Sequence, residues 1–211
     1  MPRYLTEFVG AFFLVLTIGL AVPGSPELAP LAIGAALMIM VYMGGHVSGG
    51  HYNPAVTLAV WMRGKLPASD VTPYVISQIA GALVAAFVAG FATGDAIAPA
   101  PGVGATWSAA LLLEILYTCA LALVVLNVAT AKATAGNSFY GLAIGFTVVV
   151  AAFAGGPVSG GAFNPAVGIG LITARVLSGG AGFEHLWLYI VGPLAGGVLA
   201  AMLFKLQHQP D

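Results

Sequence analysis

The chain has 211 residues, of which 60% come from the apolar and aromatic set and only 6% are charged. Six Lys and Arg stand against seven Asp and Glu, net charge is −1, and mean hydropathy is +1.01. An ordinary soluble domain carries about a quarter charged residues, so this chain cannot cover its own surface in water and reads as an integral membrane protein. That excludes soluble enzymes and nucleic-acid binders, which need a basic face for phosphate. It also excludes disulfide scaffolds, because Cys119 stands alone.

Charge-free runs locate the elements in chain order, since a helix needs about 20 apolar residues to cross the hydrocarbon. Residues 8–26 predict a first span. Residues 28–62 are too long for one crossing and contain a span, a Gly-rich break and a further short apolar piece. At 1.5 Å per residue that piece reaches only about half the hydrocarbon thickness. Residues 71–94 predict the next span and 115–131 most of another. Residues 133–174 repeat the overlong pattern, and 185–204 close the chain. The expected fold class is an all-α membrane protein of six transmembrane helices plus two re-entrant half-helices. A signal-peptide reading of the first segment is disfavoured because that segment has a counterpart later in the chain.

In this arrangement Arg3, Arg63, Lys65, Lys132 and Lys205 fall on one side of the bilayer and Arg175 on the other. The positive-inside rule then puts both termini in the cytoplasm. Glu27, Asp95 and Glu184 belong to the opposite loops. Trp61, Trp107 and Trp187 fall near span ends, where aromatic belts form. Gly141/Gly145 and Gly192/Gly196 permit close helix contact.

An internal repeat runs through the chain. Val47-Ser-Gly-Gly-His-Tyr-Asn-Pro-Ala-Val56 returns as Val158-Ser-Gly-Gly-Ala-Phe-Asn-Pro-Ala-Val167, identical at eight of ten positions. Leu31-Ala-Ile-Gly34 returns as Leu142-Ala-Ile-Gly145, Glu7 is matched by Glu114, and Ile79-Ala-Gly81 by Leu194-Ala-Gly196. One transmembrane domain over 1–211 thus divides into halves 1–106 and 107–211. Each half holds three spans, an odd number, so the second enters the membrane inverted. Inverted repeats place their functional site near the midplane, at half-helix ends.

Those ends are the boxes Asn53-Pro54-Ala55 and Asn164-Pro165-Ala166. Pro suits the first helical position, and Asn before it caps the first turn through its side-chain oxygen. Each amide NH2 is then expected to point into a lumen. Gly49, Gly50 and Gly160, with Gly161, let loop carbonyls turn there as acceptors. One such box is only a helix start. Two symmetry-related boxes inside long charge-free runs predict a pore, because non-helical backbone at membrane depth must be buried or line a water-filled cavity.

Twin Asn-Pro-Ala boxes in an inverted three-helix repeat resemble the aquaporin, or major intrinsic protein, family over the whole chain. The resemblance implies a passive channel for water and small uncharged solutes, assembled as a homotetramer. It implies that Glu7 and Glu114 brace the re-entrant loops. Neither glutamate has a His or Asp beside it in its span, which disfavours a proton relay. Histidines resembling His46 and His51 occur near the family's cytoplasmic mouth, where a bracing role is favoured over a pH gate. His185 and His208 read as interfacial or tail residues, and Cys119 as inert.

The resemblance also assigns the narrow selectivity ring to Ile33, Ala152, Gly161 and Val167. Here the chain departs from the family, which usually has Arg where Val167 stands and, in water-selective members, an aromatic and a His in place of Ile33 and Ala152. Ile, Ala, Gly and Val supply neither volume nor fixed donors, so the ring is expected to be wide and apolar, passing glycerol, urea or neutral metalloid hydroxides. A strictly water-selective channel, a secondary transporter on an inverted repeat and a non-conducting structural protein are the alternatives. The expected partners are the lipid bilayer, water and small neutral solutes, with no cofactor, metal or nucleic acid, in the inner (plasma) membrane.

Overall fold

The computed structural model describes residues 1–208, so the last three positions of the second half lie outside the described residues. The helices are α1 (Pro2–Gly24), α2 (Ala29–Ser48), α3 (Pro54–Met62), α4 (Ala68–Thr93) and α5 (Trp107–Thr130). They are followed by α6 (Tyr140–Ala154), α7 (Gly156–Ser159), α8 (Pro165–Leu177) and α9 (Leu186–Gln207), with two short 3-10 turns. Helix α1 starts six residues before its charge-free run. Two charges are tolerated there because both are partnered: Arg3 binds Asp70, and Glu7 lies fully buried among loop donors.

Helices α1, α2, α4, α5 and α9 are each long and apolar enough to cross a membrane. The sixth crossing is divided. Helix α6 has 15 residues and ends at Gly155, and the four-residue α7 completes the passage. Together they run from 140 to 159, which is α2 shifted by the repeat offset of 111. The break has a simple cause: Pro157 stands where α2 has His46, and proline lacks the N–H that would continue the ladder.

Packing follows the repeat. Helix α1 lies on α4 as α5 lies on α9, and α2 crosses α6 between the halves. The half-helices α3 and α8 each pack chiefly against the last long helix of the other repeat, α9 and α4 respectively. At the α2–α6 crossing the contact is reciprocal. A Cβ on Gly34 would sit 2.5 Å from the Gly145 carbonyl oxygen, and one on Gly145 2.5 Å from that of Gly34. Backbones this close admit only hydrogen as a side chain.

The charges sort onto two faces. Arg3 and Lys65 border one chamber, and Arg63 stands 4.9 Å over the Phe204 ring beside Lys205. Arg175 lies on the opposite face, bound to Asp95 and, at 2.6 Å, to the Ala96 carbonyl.

Candidate functional site

Each box caps its half-helix. Asn53 Oδ1 accepts from the Ala55 N–H at 2.8 Å, and Asn164 Oδ1 from the Ala166 N–H at 2.9 Å. The amide nitrogens then cross the midline. Asn53 Nδ2 donates to the Phe163 carbonyl at 3.0 Å, and Asn164 Nδ2 to the Tyr52 carbonyl at 2.9 Å. An amide NH2 has two hydrogens. One from each asparagine is therefore spent on the opposite repeat, and one remains for a lumen. This corrects the expectation of a wholly free NH2.

The loops before the boxes turn through left-handed backbone at Gly49, Gly50 and Tyr52, and again at Gly160, Gly161 and Phe163. Tyr52 and Phe163, both at φ 49°, cost about 1–3 kcal/mol each in this conformation. The two glutamates hold them there. Glu7 accepts from Ser48 Oγ at 2.6 Å and the His51 N–H at 3.0 Å through one oxygen. Its other oxygen accepts from the Tyr52 N–H and Gln78 Nε2, both at 2.7 Å. Glu114 repeats the pattern with Ser159 Oγ at 2.8 Å, the Ala162 N–H at 3.1 Å and the Phe163 N–H at 2.6 Å. A buried carboxylate persists only when its lone pairs are met in this way.

A cavity of about 480 Å³ runs beside both boxes. It is lined by Asn53 and Asn164, by Gly50 and Gly160, and by all four residues of the expected ring: Ile33, Ala152, Gly161 and Val167. Glu27 stands at its rim. Gly49 borders instead a second chamber of about 400 Å³ on the Arg3 face. His51 is buried, 3.2 Å from Thr57 Oγ1, whereas His46 is exposed. Arg175 borders neither of these two cavities.

Several braces were not singled out from the sequence. Tyr74 Oη donates to the Ser48 carbonyl and Tyr189 Oη to that of Ser159, each at 2.7 Å. The two serines lie in the repeated ten residues, and the tyrosines share the offset of Gly81 and Gly196, so both pairs left a readable trace. Gln78 left none, because Pro193 stands at its counterpart.

Over residues 1–204 the chain matches the family described as Major intrinsic protein. It belongs to that family. This major intrinsic protein is accordingly a membrane channel and not an enzyme. It is 35% identical to Glycerol uptake facilitator protein-like 6 of Lactiplantibacillus plantarum, with all of both chains covered. Aquaporin Z of Brucella melitensis is 34% identical over 94% of each chain. Aquaporin NIP1-1 of Zea mays is 35% identical over 98% of this chain and 74% of its own. In fold, the chain superposes on the X-ray structure of the aquaglyceroporin from Plasmodium falciparum with TM-score 0.85 and 21% identity, covering 96% and 94% of the two chains.

Proposed function

We propose that this major intrinsic protein passes water and small uncharged solutes passively through the cavity beside Asn53 and Asn164, with a wide apolar ring at Ile33, Ala152, Gly161 and Val167. The carrying observation is that these six residues line one continuous cavity. Two half-helix N-termini converge there, each worth about half a positive charge. A solute with lone pairs takes a hydrogen bond from the remaining amide N–H and moves on. A cation meets like charge and loses its water, so ions are rejected. With no Arg at Val167, that rejection rests on the helix ends.

The relatives support the solute range, since one is named for glycerol uptake and two as aquaporins. Strict water selectivity would need volume and donors that these four ring residues lack. A coupled transporter would need carboxylates free for an ion, and both oxygens of Glu7 and of Glu114 are engaged by loop donors. The halves 1–106 and 107–211 act as two copies of one bracing device about the shared lumen. The Arg3 face is cytoplasmic by the positive-inside rule, with both termini there. The working assembly is a homotetramer in the inner (plasma) membrane, one pore per subunit.

Vesicle swelling tests the reading. Reconstituted protein should admit glycerol, urea and neutral boric or arsenous acid at rates comparable with or above water. Rapid water flux with complete exclusion of all of these refutes it.

A further inference from the structure

The lumen is not uniform along its length. Among the described residues, only His51 and Val125 line both the larger cavity and the chamber on the Arg3 face. They stand at the neck where the two cavities adjoin. Below the neck lie Arg3 and Lys65; above it lie the boxes and the apolar ring.

The His51 ring has one hydrogen-bonding arrangement open to it. Its Nδ1 is 3.2 Å from Thr57 Oγ1. The single hydroxyl hydrogen of Thr57 is directed to the Asn53 carbonyl at 3.0 Å. The same Oγ1 also lies 2.9 Å from Gln78 Nε2, whose other contact is the Glu7 carboxylate. A carboxylate only accepts, so the nitrogen and not the oxygen of Gln78 faces it, and that nitrogen donates to Thr57 as well. Thr57 has no hydrogen left for the imidazole. Nδ1 must therefore carry the ring proton, leaving Nε2 of the neutral ring a bare acceptor. Among the described residues the ring's hydrogen bond is made through Nδ1, and Nε2 makes none.

The second repeat has nothing comparable. Ala162 stands at the place of His51, Gly168 at that of Thr57 and Pro193 at that of Gln78. The outer ring cannot supply the missing selectivity either, since Ile33, Ala152, Gly161 and Val167 have no side-chain donor or acceptor. One end of the lumen thus has no side-chain donor or acceptor in its ring, and the other has an imidazole held by Thr57 and the branched aliphatic Val125 in its lining.

We infer that the constriction that selects solutes in this channel is the neck of His51 and Val125, and that His51 Nε2 accepts a hydrogen bond from each passing hydroxyl or amide. The inference rests on the channel reading above. Glu7, Gln78 and Thr57 act on selection as positioning residues, by fixing the ring through its Nδ1.

A stopped-flow series of glycerol, erythritol and xylitol in vesicles tests it, with His51→Ala and Val125→Ala at the neck and Ile33→Ala and Val167→Ala at the ring. The neck variants should raise the xylitol-to-glycerol permeability ratio on the order of tenfold, and the ring variants by less than about twofold, a tenfold change being about 1.4 kcal/mol in barrier. Val125→Phe should shut out xylitol while water still passes, and with Val125→Ala it decides the matter if His51→Ala does not fold. Ring variants that move the ratio as much as the neck variants overturn the inference, as does a ratio indifferent to Val125. A wild-type protein that passes neither water nor any solute strikes the channel reading instead.

Discussion

Replacing Glu114 by Ala tests the bracing of the second box most directly. The side chain is fully buried and receives three donors, Ser159 Oγ and the Ala162 and Phe163 N–H groups. Each donor stranded in the interior costs about 1–3 kcal/mol. Ser159 can rotate toward another acceptor; the two backbone groups cannot, because the box that follows is pinned by its own cap. The expected loss is therefore about 2–6 kcal/mol from the backbone donors alone, and the left-handed Phe163 loses its clamp as well. Its carbonyl then drifts from Asn53 Nδ2. We expect Glu114→Ala to unfold well below wild type in an SDS or thermal titration of the detergent-solubilised protein, with solute flux falling in parallel. Glu114→Gln keeps one acceptor oxygen and should fall between the two. A Glu114→Ala protein with wild-type melting and wild-type glycerol flux would refute the bracing role and the reasoning that led to it.

Three further outcomes follow from the same geometry. Val167→Arg should narrow the ring and suppress glycerol and urea flux more than water in stopped-flow measurements; equal suppression would mean that position 167 does not border the passage. Asn164→Asp removes the donor to the Tyr52 carbonyl at 2.9 Å and puts an anion where the helix ends repel cations. Stability should drop by about 1–3 kcal/mol, and a proton leak should appear in a pH-gradient vesicle assay; wild-type tightness would contradict it. Gly145→Val drives a side chain into the Gly34 carbonyl and should abolish folded protein, whereas Gly24→Ala, which meets nothing within 4 Å, should express normally in a fluorescence size-exclusion assay.

Much of this architecture was legible because membrane insertion leaves a coarse trace. Span lengths, the offset of 111 and the two boxes fall out of counting charges and comparing the chain with itself. The glutamates were readable for the same reason: a carboxylate inside an apolar run has to be explained. What escaped was set by partners distant in sequence. A charge-free run starts the first span only after Glu7, whereas α1 begins at Pro2 because Glu7 is buried among loop donors and Arg3 binds Asp70. The break before α7 hid behind the similarity of the two copies, where one substitution, His46 to Pro157, removes a single N–H. The crossing of the asparagines could not be read from either box alone, since each amide takes its acceptor from a residue more than a hundred positions away.

That crossing bears on how the protein is made. Until Phe163 has emerged from the ribosome, Asn53 has no carbonyl to bind, and the first re-entrant rod must wait in the bilayer with an exposed polar tip. The latch closes from both sides at once. The later rod is therefore what completes the earlier one, and a chain holding only its first three crossings has an asparagine whose acceptor does not yet exist.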